Sequence, residues 1–131
     1  MIINIDGAVV GRVGCYVAKQ LLRGEQMDLV NCEKSIITGN RENIKQIYHQ
    51  KRSRVGSGLT GPKYPKVSDR MVKRIIRGML PNYREGRGRE AWKRLKCYNG
   101  VPKQFEGKEI TQFKTSKKDK FVEIKEISRC E

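Results

Sequence analysis

Histidine and cysteine, the side chains that bind most transition metals in proteins, are scarce and scattered in this sequence. His49 is the only histidine, and the four cysteines lie at positions 15, 32, 97 and 130. Zinc sites usually contain pairs of ligands a few residues apart, and no such pair occurs here. We therefore expect no metal site, and free thiols in a reducing compartment rather than disulfides. A metal site or a disulfide is the less favoured alternative.

Long apolar runs are also missing. No segment approaches the roughly 20 apolar residues that span a bilayer, and MIINIDGAVV lacks the basic flank and apolar core of a signal peptide. A hydrophobic fraction of 37% and a charged fraction of 33% indicate a modest core under a highly charged surface. These features favour a soluble intracellular protein without membrane contacts. Residues 1–131 are most simply one domain.

Motifs of nucleotide-binding and catalytic sites do not appear either. In IDGAVVGRVG the glycines at 7, 11 and 14 suggest a dinucleotide-binding turn, but Val9 stands where the second glycine of G-x-G-x-x-G belongs. No Walker motif or nucleophile elbow occurs, and neither His49 nor the carboxylates form a catalytic constellation. We expect no catalysis, cofactor or small-molecule substrate. An enzyme that binds a nucleotide at this corner, with Glu33 on the ribose, is the third-ranked hypothesis.

Two simpler roles stay open for the same glycine-rich corner. Gly11 and Gly14 would allow the start of a helix to pack closely on a sheet. Alternatively, Arg12 and the free amides of the helix N-terminus would bind a backbone phosphate of RNA.

Short apolar segments alternate with helical patterns along the chain. The periodicity predicts helices over 11–24, 41–52 (capped by Asn40), 69–80 (capped by Ser68) and 89–95, and strands in MIINID, MDLVNC, KSIITG, KCYNGVP and KFVEI. Such alternation is typical of parallel pairing. The predicted fold is α/β: a single three-layer domain with a small, mainly parallel central sheet of about four strands flanked by helices.

Positive charge is the strongest signal in the composition. The net charge is +15, and residues 51–102 carry fifteen basic and three acidic side chains. A solvated surface does not need this imbalance, and self-repulsion makes it costly unless a polyanion is present. Nucleic acid is therefore the expected partner.

Two neighbouring segments hold most of these cations. Residues 53–67, SRVGSGLTGPKYPKV, are too rich in glycine and proline for a helix or strand, and we predict an extended loop that becomes ordered only on RNA. In the next helix, Met71, Val72, Ile75 and Met79 are predicted to form the apolar side. Four cations recur at i, i+3, i+4 and i+7 on the opposite side. The candidate RNA-binding residues are Arg12, Lys51, Arg52, Arg54, Lys63, Lys66, Arg70, Lys73, Arg74, Arg77, Arg84, Arg87, Arg89, Lys93 and Arg94.

Aromatic residues are interleaved with these cations. Tyr48, Tyr64, Tyr83 and Trp92 are suited to stacking on unpaired bases. For Trp92, packing in the core is the favoured role.

Several motifs in register resemble one protein family. IIRGMLP, the basic glycine turn after it, and a helix that runs into LKCYNGVP are similar to the universal L-thirteen family of large-subunit ribosomal proteins. IDGAVVGRVGCYVAKQLLRGE, VNCEKSIITGN and RVGSGLTGPKYP follow the same family's order, the last in the form of its archaeal and eukaryotic branch. The resemblance covers roughly residues 1–102, and the C-terminal extension 103–131 is less diagnostic.

The resemblance implies an α/β protein bound to large-subunit ribosomal RNA in the cytoplasm, beside neighbouring ribosomal proteins, with no catalysis and no cofactor. Its RNA-facing parts would fall on Arg12, 52–66, the helix around Arg77, and 84–94. The second-ranked hypothesis is a free-standing RNA- or DNA-binding regulator that uses the same basic surface.

Overall fold

A computed structural model of the chain describes residues 1–54, 56, 58, 61–116 and 119–129. Within these residues the chain forms six short strands and five helices, with additional 3-10 turns at Cys32–Lys34 and Lys103–Phe105. In chain order the elements are β1 (Ile2–Asn4), α1 (Val10–Leu22), β2 (Met27–Val30), β3 (Ile36–Thr38), α2 (Arg41–Ser53), α3 (Ser68–Arg77), α4 (Gly86–Arg94), β4 (Leu95–Cys97), β5 (Thr111–Gln112), β6 (Phe121–Glu123) and α5 (Ile124–Arg129).

Four parallel strands form the central sheet in the order β4, β2, β1, β5. Ile3 of β1 lies opposite Leu29 of β2 on one side and Thr111 of β5 on the other. Ile3 and Leu29 are buried, as expected for a parallel sheet covered by helices. The predicted α/β fold, with a mainly parallel sheet of four strands flanked by helices, is confirmed.

The strand β3 does not join this sheet. It pairs antiparallel with β6, with Ile36 opposite Glu123 and Thr38 opposite Phe121. The prediction of parallel pairing is therefore wrong for β3. Only the turn around 32–34 separates β2 from β3, and a parallel crossover needs a dozen or more residues.

The C-terminal extension is built into the fold. β5 adds the fourth strand of the central sheet, and β6 pairs with β3 in the second sheet. Ile124 and Ile127 of α5 have no exposed surface and belong to the main hydrophobic core. The core is therefore completed by residues beyond the segment that carries the family resemblance.

The first helix packs on the core along one side. Val13, Val17 and Leu21 of α1 are buried, whereas Leu22 is exposed. A Cβ atom at Gly14 would lie 2.7 Å from Sδ of Met79, so Gly14 allows close packing against the segment after α3. A Cβ atom at Gly11 would meet nothing. The prediction that both glycines permit close packing on the sheet is therefore wrong.

The third helix is rotated relative to the predicted helix. Met71, Val72 and Ile76 are buried, Ile75 is half-buried, and Met79 is exposed. The helix ends at Arg77, so Met79 lies beyond it. The helical spacing that predicted its burial therefore does not apply to Met79. Ser68 does not cap the helix, because it lies inside the first turn and the N-cap is Val67.

The second helix lies at the periphery and is held by polar contacts. The Asn40 side chain accepts hydrogen bonds from the backbone N–H groups of Glu42 and Asn43, which confirms the predicted cap. Glu126 of α5 forms ion pairs with Arg41 and Lys45. The helix includes Ser53, so the predicted loop begins one residue later. Residues 55, 57, 59 and 60 of that loop lie outside the described residues, and its ordering by RNA stays a prediction.

The cysteines are free thiols where the structure describes them, at positions 15, 32 and 97, as predicted. Cys130 lies outside the described residues. Cys32 and Cys97 are brought together by the pairing of β2 with β4. A hydrogen bond with Cys32, together with burial, raises the pKa of the Cys97 thiol, so this thiol stays protonated.

Candidate nucleic-acid interface

The exposed side of α3 carries a stripe of cations that faces a cleft. Because the opposite side of α3 packs into the core, its four basic side chains are held in fixed positions relative to the sheet. The cleft has a volume of about 340 Å³. We call it the α3 cleft; it is lined by Lys63, Tyr64, Pro65, Arg70, Lys73, Arg74, Arg77 and Trp92. The predicted clustering of the four α3 cations is confirmed.

Within the described residues, these four α3 cations make no ion pair with a carboxylate. Three of them lie over aromatic rings instead. The Arg74 guanidinium is 4.0 Å from the centre of the Tyr64 ring, Lys73 is 4.7 Å from that of Trp92, and Arg77 is 4.3 Å from that of Tyr83. Cation–π contacts of this kind leave the positive charge available to an anion.

Arg74 also fastens the basic segment before α3 to the helix. Its guanidinium donates a hydrogen bond to the Lys63 carbonyl at 3.0 Å, while stacking on the next residue, Tyr64. Tyr64 in turn contacts Tyr48 edge-on, with ring centres 6.5 Å apart. The described part of the loop after α2 is thereby held against both helices.

A second basic cleft lies beside the first, between the end of α2 and the segment 61–66. It has a volume of about 320 Å³ and shares Lys63 and Tyr64 with the α3 cleft. Among the described residues, none of those that line it is acidic. Its lining comprises Lys51, Arg52, Arg54, Gly61, Pro62, Lys63, Tyr64 and Lys66.

Arg52 differs from the other candidate residues because it bridges several elements. Its guanidinium donates hydrogen bonds to the carbonyls of Ile127 in α5 and Pro65, at 2.6 and 3.2 Å. It also lies 3.1 Å from Sδ of Met71 in α3. Arg52 is therefore a structural residue at the edge of the basic surface, a role that no local sequence pattern indicates.

The turn after α3 and the helix α4 carry the next group of cations. Arg84, Arg87, Arg89 and Lys93 are exposed. Arg94 is half-buried, pairs with Glu90 at 3.6 Å and donates a hydrogen bond of 3.4 Å to the carbonyl of Leu21, near the end of α1. A Cβ atom at Gly88 would clash with the carbonyl oxygens of Pro81 and Asn82, so only glycine fits at this position in the first turn of α4.

Arg12 lies away from these clefts, in the first turn of α1, and is exposed. Its guanidinium donates a 2.9 Å hydrogen bond to the Ser116 hydroxyl, and the N–H of Val9 donates to the Thr115 hydroxyl at 3.0 Å. The chain's own C-terminal segment thus occupies part of the helix N-terminus. Sequence reasoning missed this contact, because more than a hundred residues separate the partners.

The glycine-rich corner does not have the features of a dinucleotide site. Glu33, the candidate ribose ligand, accepts hydrogen bonds from the N–H of Gly100 through both carboxylate oxygens, at 3.2 and 3.0 Å. Glu33 therefore holds the turn after β4. Within the described chain, no cluster of three metal-binding side chains occurs, and no helix is long and apolar enough to cross a membrane.

Three tyrosines at the basic surface have shifted pKa values. Hydrogen bonding and charge from Arg84, with a contribution from Arg77, lower the pKa of the Tyr83 phenol. Desolvation acts to raise the pKa of Tyr64, but Lys51 and Arg74 together outweigh it and lower this pKa below 10.0. Burial, reinforced by Tyr64, raises the pKa of Tyr48 above the same value.

We expect these shifts to appear in a spectrophotometric pH titration of tyrosinate. Subtraction of Tyr64→Phe or Tyr83→Phe from the wild-type curve should isolate a phenol that ionises below pH 10.0, and subtraction of Tyr48→Phe one that ionises above it. A lowered pKa stabilises the folded state only above that pKa, so neutral-pH stability is unaffected. A bound polyanion should raise the pKa of Tyr64. Ionisation of Tyr48 before Tyr64 would contradict the arrangement.

Comparison with known proteins identifies close relatives of the whole chain. A family model described as ribosomal protein L13 matches residues 1–104. The chain is 40% identical to a large ribosomal subunit protein uL13 of Archaeoglobus fulgidus, over 98% of this chain and 85% of the relative. It is 50% identical to the protein of the same name from Methanococcus maripaludis, over 78% and 76%. For that of Methanosarcina barkeri the identity is 41%, over 98% and 94%.

Proposed function

The chain belongs to the ribosomal protein L13 family, and from this premise we propose that it binds and stabilises folded large-subunit rRNA through its basic surface. Its role is that of a structural, non-enzymatic component of the large ribosomal subunit in the cytoplasm, active in translation. Its partners in this proposal are large-subunit rRNA and neighbouring ribosomal proteins.

The observation that carries the proposal is the unpaired positive charge of the α3 cleft. Four cations project from one helix, none of them forms an ion pair with a carboxylate of the described residues, and a second basic cleft continues the surface. Phosphates supply the missing charge and release counterions on binding, which drives association. Because phosphate contacts do not read bases, the protein recognises mainly the shape of the folded RNA.

The candidate residues divide into two roles in this proposal. Arg52 and Arg94 position the surface through their contacts with other elements. The others contact phosphates: Arg12, Lys51, Arg54, Lys63, Lys66, Arg70, Lys73, Arg74, Arg77, Arg84, Arg87, Arg89 and Lys93. The whole chain, 1–131, acts as one rRNA-binding domain, in which the loop after α2 contacts the RNA.

Gradient sedimentation of a cell extract that contains a tagged copy tests this function. We expect the protein to migrate with large subunits at low salt and to stay there through a wash at about 0.5 M salt, where exposed charges are strongly screened. An integral component is retained because its cations are buried against rRNA. Migration at the top of the gradient, with tight binding to one messenger, would instead favour the free-standing regulator.

A further inference from the structure

Trp92 has an unusual position for the only tryptophan of the chain. It packs against the hydrophobic core, as predicted, but it is only half-buried. Its remaining surface lines the α3 cleft and also a neighbouring cavity of about 380 Å³. The ring is therefore held by the core and still presents aromatic surface to two cavities.

The two cavities beside Trp92 differ in charge. The neighbouring cavity contains one carboxylate, Asp69, beside three cations and a second aromatic residue; these are Arg70, Lys73, Lys96 and Tyr98. Among the described residues, none of those that line the α3 cleft is acidic, and its second aromatic residue is Tyr64, with Pro65 beside it. Of the two, only the α3 cleft combines aromatic walls with a basic lining that contains no carboxylate of the described residues.

The dimensions of the α3 cleft suit a single nucleotide. Its volume of about 340 Å³ lies at the lower end of the range for small-ligand pockets, about 300–1,000 Å³. A double helix is too large to enter. Its basic and aromatic lining matches a ligand that carries both a phosphate and a flat ring, because bases stack on aromatic rings and on guanidinium planes.

We propose that the α3 cleft binds one unstacked nucleotide of the RNA. Its base lies against Trp92 and the Arg74 guanidinium, which is already layered on Tyr64, and its phosphate lies at Arg70 and Lys73. The inference rests on the proposed rRNA-binding function and adds a site for an extruded base to a surface that otherwise contacts phosphates. Lys73 then exchanges its cation–π contact with Trp92 for the phosphate.

Fluorescence of Trp92 in the full chain tests the site directly, since no other tryptophan contributes. The probes are a single-stranded oligouridine, an oligoadenosine, a blunt RNA duplex, inorganic polyphosphate and polyglutamate, each compared at equal occupancy. We expect the single strands to quench Trp92 at least about twofold more than the duplex or the base-free polyanions, because only an unpaired base stacks on the ring. Stronger quenching by polyglutamate would point to an acidic protein segment and overturn the proposal.

Substitutions separate stacking from charge. Trp92→Leu should weaken binding of the single strands about tenfold and leave duplex binding within about twofold, while Trp92→Phe should retain most of the affinity. Arg89→Ala, an exposed change outside the cleft, is the matched control and should weaken both probes equally. Trp92 also packs on the core, so Trp92→Leu could fail to fold. In that case, quenching of the wild-type protein alone tests whether a base stacks on Trp92.

Failure of this inference differs from failure of the rRNA-binding function. Tight binding of single strand and duplex with equal quenching, and an equal loss for both in Trp92→Leu, would remove the base site and leave rRNA binding intact. Absence of binding to every RNA probe would reject both.

Discussion

Replacing Arg74 and Arg77 together by alanine is expected to lower the salt dependence of RNA binding by about 1.4 to 1.8 units in the slope of log K against log salt. Each phosphate contact contributes about 0.7 to 0.9 to this slope through released counterions. Both side chains lie in the α3 cleft, and neither has a carboxylate partner among the described residues. Their removal therefore deletes two contacts without leaving an unpaired acid.

The loss of RNA affinity should exceed the effect of removing two charges, because Arg74 also binds the Lys63 carbonyl and stacks on the Tyr64 ring. The segment 61–66 would lose its attachment to α3 and with it the position of the second basic cleft. The measurement is fluorescence anisotropy of a labelled rRNA fragment across a salt series. Circular dichroism should show an unchanged fold, since both side chains project from the core.

The matched control is the double variant Lys103→Ala, Lys108→Ala. It removes the same charge from exposed positions outside both basic clefts. We expect its slope to stay near the wild-type value. Equal slopes for the wild type and the Arg74, Arg77 variant would exclude the α3 cleft from the interface.

Ile76→Asp is expected to unfold the protein. Ile76 has no exposed surface and packs in the core, so the new carboxylate would be buried without a partner. The cost of several kcal/mol approaches the entire stability of a typical domain, about 5–15 kcal/mol. Thermal unfolding followed by circular dichroism should show no cooperative transition at 25 °C or above.

Ile75→Asp provides a matched comparison one residue away. From the sequence pattern alone, Ile75 is the core residue, and its replacement by Asp would be the unfolding change. In the structure Ile75 is half-buried, so its carboxylate can reach water, and we expect a folded protein with a lower melting temperature. A cooperative transition in Ile76→Asp, together with loss of folding in Ile75→Asp, would contradict this orientation of α3.

The adjacent isoleucines show why sequence periodicity did not decide this orientation. Successive residues on a helix are about 100° apart, so Ile75 lies between Met71 and Val72 around the helix, and Ile76 lies about 40° beyond Val72. The apolar stripe predicted from the sequence extends to Met79 and is therefore centred near Ile75. The end of the helix at Arg77 removes Met79 from the pattern and leaves Ile76 in the core.

The sequence by itself determined the features that depend on residues close together in the chain. The periodic helices α1 and α3, the Asn40 cap and the concentration of charge between 51 and 102 are of this kind, because each follows from spacing within a few turns. The family motifs also belong here, and the match over residues 1–104 confirms them.

Only the tertiary structure decided the features that depend on distant partners. β5 has two residues and carries too little local pattern, and the sequence predicts β6 as a strand but does not predict its partner. The hydrogen bonds of these strands come from β1 and β3, far earlier in the chain. The α3 cleft is similar: Tyr64, Arg74 and Trp92 meet because α3 and α4 pack on one core. Side-chain chemistry is local, but the place where side chains meet is set by long-range packing.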